Sequence, residues 1–436
     1  MTTVSPRRRR EIIDALRRGT VPQRGLDIMA VGLDRFQDAL GDELDGVAEG
    51  GAVFKAVRGE YGAGKTFFAR WLIESAKQRG FATAEVQISE TETPLHRLET
   101  IYRRVTENLA TESTAPSAFR EVIDEWLRVL EEDAVAAGAS AVDRASLAEH
   151  AQQLLEQRLA VVSRTAPAFA AALRGYHAAT VRGEIETADG LIAWLGGQPH
   201  VAAAIRRGAG IRGDLDHFGA FGFMQGLLAV LRDTDYRGLV LVLDEVETLQ
   251  RVRSDVREKA LNALRQLLDE VDAGRFPGLY VLITGTPAFF DGTQGVQRLP
   301  PLAARIGVDF SGDPRWDNPR APQVRLLGFQ RASLQELGER VREIYAGGSP
   351  AAVRIEALVT DHYLANLADT IAGRLGGKVG VAPRMYLRKL VDTLDKIEQF
   401  PDYTPAEASA VIVADGELNT DERAAAGGLD AIQIDV

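Results

Sequence analysis

The chain has 436 residues, length for two or three domains, and its hydrophobic and charged fractions (45% and 26%) are those of a folded globular protein rather than a disordered one. It has no cysteine, which excludes disulfides, thiolate zinc sites and cysteine nucleophiles, and its six histidines show no metal-ligand spacing. The net charge of −11 argues against a bulk nucleic-acid coat but leaves room for a local positive channel, while no apolar run approaches the ~20 residues that span a membrane and the N-terminus lacks a signal-peptide core. A soluble cytoplasmic protein without membrane contact is expected.

Residues 8–19 read as a short basic helix. The Arg7–Arg10 cluster on it suits either nucleic-acid contact or a solvated helix face. Val21-Pro-Gln-Arg-Gly25 breaks this helix, and a second is predicted over about 34–46. Residues 52–58, Ala-Val-Phe-Lys-Ala-Val-Arg, read as a buried strand. Directly after it come Gly59, Glu60, Tyr61, Gly62, Ala63, Gly64, Lys65 and Thr66, a full match to the G-x-x-x-x-G-K-[ST] phosphate loop. The following residues, from Phe67, have helical character. A strand, a glycine turn and a helix N-terminus are the context this motif needs, because backbone N–H groups and the helix dipole then meet the phosphates. Lys65 would reach the β- and γ-phosphates and the Thr66 hydroxyl would hold Mg²⁺. The plainer alternative is a glycine turn that only caps a helix.

A second strand is predicted over 81–89 and a helix over 96–108. Helical spacing then continues through 117–136, 145–162, 167–183 and 188–207, with Phe119, Val122, Ile123, Trp126, Leu127 and Leu130 on one face. This block reads as a helical insertion into a nucleotide-binding core, which a helix over 217–233 rejoins.

Leu239–Leu243 is uniformly apolar, as a strand buried on both faces of a parallel sheet should be, and it ends in Asp244-Glu245. Carboxylates at that end sit where α/β sheets bind ligands. Asp244 suits Mg²⁺, and Glu245 suits polarisation of an attacking water. Alone, such a pair also fits a solvated loop or a helix cap; beside the phosphate loop it points to ATP hydrolysis. A helix over 255–273 leads to a strand over 279–283. Thr284, with Thr286 next in line, could touch the γ-phosphate or the water, or merely cap a turn. After Gly- and Pro-rich loops, Arg305 on a helical turn before the fifth strand (323–329) could act as a finger toward a neighbouring subunit's ATP. It could equally be a surface arginine or a partner of Asp309. Residues 331–399 are helical, with Arg384 near the start of the last helix, where it could report the γ-phosphate to a lid; Arg388, one turn on, reads as solvated. The organisation expected is 1–109 as N-terminal segment and first half of the core, 110–215 as insertion, 216–330 as second half of the core, 331–399 as lid and 400–436 as a flexible acidic tail.

The phosphate loop, Asp244-Glu245, Thr284, Arg305 and Arg384, in this order, resemble the AAA+ ATPases, nearest their Orc/Cdc6-like branch. Residues 21–34, 58–66, the strand end through Glu247, residues 283–287 and Ala382-Pro-Arg384 are similar to the BrxD family of BREX-system ATP-binding proteins, over most of residues 10–400. The resemblance implies an α/β fold with a five-stranded parallel sheet in the order 5-1-4-3-2, a large helical insertion and a C-terminal helical lid. It further implies ATP and Mg²⁺ as cofactors, a ring-forming homo-oligomer, a helicase among other defence-system partners, and a role in bacterial anti-phage defence on DNA. Val21, Pro22 and Gly25 would by the same likeness border the adenine. The Orc/Cdc6 branch carries a winged-helix domain after the lid, where this chain shows an acidic segment, so DNA recognition by that route is not implied.

Two functions compete at this stage: an ATP-hydrolysing ring subunit acting on DNA or a DNA-bound complex, and a nucleotide-gated adaptor that recruits a partner through the insertion. A metabolic kinase fits less well, since no cluster for a substrate phosphate is visible.

Overall fold

The computed structural model describes residues 4–114, 116–139, 144–374, 383–407, 413–418 and 422–423. Strands β1 (Ala52–Arg58), β2 (Ala82–Gln87), β3 (Leu239–Asp244), β4 (Leu279–Gly285) and β5 (Gln323–Arg325) pair in parallel in the order β2-β3-β4-β1-β5. This is the order expected from the sequence, read from the other edge. The register aligns the strands' C-terminal ends: Gln87 lies opposite Asp244, Val57 opposite Thr284, and Arg58 opposite Gly285.

Both faces of the sheet are covered. On β3, Leu239, Leu241 and Leu243 enter one apolar cluster, while Val240 and Val242 enter another. The second cluster is filled by Phe36, Leu40 and Leu44 of the helix Asp34–Ala48 and by Phe68 and Leu72 of the helix Lys65–Gln78. The first cluster runs without a break from the sheet into the helical insertion, through Trp126, Leu155, Phe169, Tyr176 and Trp194. Phe223 sits at that junction and meets the rings of Tyr102, Phe169 and Trp194 edge-on. A third cluster joins the helices Arg331–Ala346, Asp361–Arg374 and Pro383–Gln399 to Ile12, Ile13 and Leu16 of the first helix, Pro6–Arg17. The N-terminal helix therefore packs with these C-terminal helices.

Two elements depart most from expectation. The helix predicted over 188–207 is two, Ile185–Leu195 and Ala203–Gly208. Gly197, at φ +76°, ends the first in a left-handed conformation, and Pro199 follows. Strand β5 covers only 323–325 of the predicted 323–329, because the chain leaves the sheet edge and Leu326, Leu327 and Phe329 turn into a cavity. In the segment expected to be a flexible tail, Leu418 is buried in the third cluster and Glu422 is also buried; residues 424–436, like Ala382, lie outside the described residues.

Candidate functional site: a glycine turn above a strand-end carboxylate cluster

The turn after β1 needs conformations that side chains disfavour. Gly62 and Gly64 adopt φ of +82° and +89°, and Gly64 caps the helix Lys65–Gln78. Lys65 folds back along the turn. Its ammonium donates to the Gly59 carbonyl at 3.0 Å and faces the Tyr61 ring at 5.0 Å.

The register of the sheet builds the rest. Thr66 donates its hydroxyl to Asp244 at 3.0 Å, and Thr284 donates to the other Asp244 oxygen. The Thr284 hydroxyl also accepts the Glu245 backbone N–H at 3.1 Å. Glu245 lies at φ +61°, ψ +42°, a costly conformation for a residue with a side chain, and one that swings the chain off the sheet. Its carboxylate accepts a hydrogen bond from Gln87 at the end of β2, at 2.9 Å. Glu247, two residues on in the 3₁₀ turn Val246–Gln250, comes within 3.5 Å of the Lys65 ammonium. It is 5% exposed, and neither of its oxygens accepts a hydrogen bond from any other described residue. Burial pushes its carboxyl above the usual range, and nearby Glu245 and Asp244 add to this, against the opposing pull of Lys65.

Beside the turn lies a cavity of about 620 Å³, within the size range of small-molecule sites. Tyr61, Gly62, Ala63, Gly64, Lys65 and Thr66 of the turn line it together with Glu245 and Glu247. Val21, Pro22, Met29, Val31, Phe329 and Leu387 supply apolar lining. Arg70, on the helix after the turn, fixes the Val21 carbonyl at 2.8 Å. Gly25 does not line the cavity; at φ +83° it forms a tight turn whose N–H is held by Glu74 at 2.7 Å.

The structure thus gathers the phosphate loop, Asp244, Glu245, Thr284, Val21 and Pro22 at one place. Thr284 is completely buried, and its hydroxyl is committed to Asp244 and Glu245, so it positions the carboxylates from behind. Thr286 caps the short helix Pro287–Asp291. Arg384 lines the cavity but is engaged by Glu422, with Nε at 2.8 Å, and by the Glu417 carbonyl at 2.7 Å. Arg305 lies outside the cavity lining and pairs with Asp269 at 2.6 Å and Asp272 at 2.9 Å, rather than with Asp309, which caps Ser311. Within the Arg7–Arg10 cluster, Arg8 pairs with Asp27 and with Glu74 at 3.2 Å, and Arg9 donates to the Val4 carbonyl at 3.2 Å, which turns both toward the protein.

The sequence reading gives no role to Gln87 or to Glu247. Gln87 carries the same signal as Thr284, a polar residue ending a strand beside the Asp-Glu strand. Glu247 falls within the segment that carries the resemblance, but nothing local marks it as a site residue, because a charged residue three positions after a strand is usually solvated.

A glycine turn on a parallel sheet, with carboxylates at the neighbouring strand end, is consistent with the core of a phosphate-loop protein. The chain belongs to the family of BREX system ATP-binding proteins BrxC/D, whose model matches residues 4–412. No curated protein matches the chain. Among the described residues, no helix is long and apolar enough to cross a membrane.

Proposed function

We propose that the chain is an AAA+ ATPase of a bacterial anti-phage (BREX-type) defence system. It works as a homo-oligomer on DNA or a DNA-bound defence complex, alongside partners such as a helicase. The observation that carries this reading is the hydrogen-bonded set Thr66–Asp244–Thr284–Glu245 beside the glycine turn. A bare nucleotide-binding turn does not require a second carboxylate, held by its backbone and aimed at the same cavity.

ATP lies with its phosphates on the turn and its base at the Val21–Pro22 end. Lys65 turns from the Gly59 carbonyl to the β- and γ-phosphates. Thr66 and Asp244 offer one oxygen each, 3.0 Å apart, and this fits Mg²⁺, which is usually bound by one or two protein oxygens together with phosphates and waters. When bound, the ion supplies charge neutralisation at the phosphates. Glu245 takes the proton of the attacking water, after its carboxylate leaves Gln87. Arg384 senses the γ-phosphate from the lid once it leaves Glu422. Arg305, which sits on the outer surface, serves a neighbouring subunit in a ring.

Glu245→Gln is expected to bind ATP normally and to lower turnover by about 10²–10⁴-fold. Phosphate release and nucleotide retention on the purified protein measure both, and turnover at the wild-type rate would refute the assignment of Glu245.

The second reading, a nucleotide-gated adaptor, draws on Val181 and Ile185, which are 54% and 75% exposed on adjoining parts of the insertion. Native mass with and without ATP and DNA separates the two. Assembly with ATP and DNA supports the ring ATPase, whereas a monomer that binds ATP without assembling supports the adaptor.

A further inference from the structure

Glu247 is a buried carboxylate whose oxygens accept no hydrogen bond from any other described residue, an arrangement that costs free energy. Its closest cation is Lys65, at 3.5 Å. Lys65 does not need it for support, because the Gly59 carbonyl and the Tyr61 ring already hold the ammonium in place. Glu247 also lines the cavity, as Lys65 and the glycine turn do. It is therefore poorly placed to serve packing and well placed to act on the charge of one lysine.

We propose that Glu247 is a positioning residue that sets the phosphate affinity of Lys65. It takes up part of the ammonium's charge in the empty site and opposes the terminal phosphate once the lysine turns to it. This rests on the reading of residues 59–66 as a phosphate loop. Its consequence is selective. The opposing charge acts most on the ligand that brings most negative charge to Lys65, so it weakens ATP more than ADP and narrows the gap between them. Neutralising Glu247 widens that gap. Little pre-organisation is lost, since the Gly59 carbonyl keeps the lysine along the turn.

The test is a titration of ATP and of ADP, each with magnesium, into the full chain and its Glu247→Gln, Glu247→Leu and Lys65→Ala variants. Melting curves without nucleotide check that each variant is folded. Glu247→Gln is expected to bind ATP about fivefold to tenfold more tightly, with a smaller gain for ADP. Glu247→Leu, which carries no charge in a similar volume, should change ATP affinity in the same direction. If both folded variants bind ATP as the wild type does or more weakly, or if only their melting temperatures move, the inference is overturned. The loop reading still stands in that case, provided that Lys65→Ala loses ATP binding. A wild-type chain that binds no ATP removes the loop reading and this inference together.

Discussion

At the scale of single residues, the site is a set of charges and hydroxyls whose spacing depends on a few unfavourable conformations. Glu245 occupies the left-handed region without being glycine, and Thr284 holds it there by accepting its N–H. Glu247 has a measurable consequence for stability that is independent of nucleotide. Its carboxyl is raised in the folded protein above its ordinary value of 4.5, so between the two values the folded state binds more protons than the unfolded one. The charged form of Glu247 therefore burdens the fold increasingly as pH rises above about 4.5, and burdens it fully above the folded value. Glu247→Gln should melt with the wild type near pH 4.5 and above it at pH 8, by a margin that grows as pH rises between the two. Melting curves across that range check the sign: a difference that shrinks as pH rises contradicts it.

At the scale of elements, the register of the parallel strands places the chemistry, and β1 is held in register partly by a buried charge. Lys55 is 1% exposed, pairs with Glu43 at 2.5 Å, and donates to the carbonyls of Pro319 at 2.8 Å and Ala321 at 3.2 Å. Glu43 in turn accepts the Tyr280 hydroxyl of β4 at 2.7 Å. One lysine thus ties together β1, the helix Asp34–Ala48 and the loop before β5. Lys55→Ala leaves Glu43 without its cation and two carbonyls without a donor, and is expected to cost about 3–5 kcal/mol. Denaturant unfolding measures this, and a loss below about 1 kcal/mol would place the stabilisation elsewhere.

At the scale of the whole molecule, the helices between β2 and β3 share one apolar core with the sheet, and the first helix shares another with the C-terminal helices. The insertion is not an appendage that could open freely. Phe223, 3% exposed among Tyr102, Phe169 and Trp194, lies where the two parts meet. Phe223→Ala is expected to cost about 3–5 kcal/mol and to lower the melting of the insertion and of the nucleotide site together. Calorimetry on the nucleotide-bound variant reads this out: two separate transitions, only one of them shifted by ATP, would show that the parts are independent.

The glycine turn, the apolar strand ending in Asp244-Glu245 and most of the helices were legible in the sequence, since each is set by neighbours along the chain. Periodicity names a buried strand, glycine marks a positive φ, and a motif of eight consecutive residues carries its own geometry. The gathering of those pieces was not legible. Gln87 meets Glu245 only because β2 pairs with β3, and Glu247 meets Lys65 only because Glu245 turns the chain back under the loop. Arg384 and Glu422, 38 residues apart in the chain, meet as an ion pair, and Arg305 settles on two aspartates far from it in the chain. Local order follows from covalent neighbours, whereas which charges face one another follows from strand register and core packing. Composition and periodicity do not encode those contacts one residue at a time, so they became visible only in the folded chain.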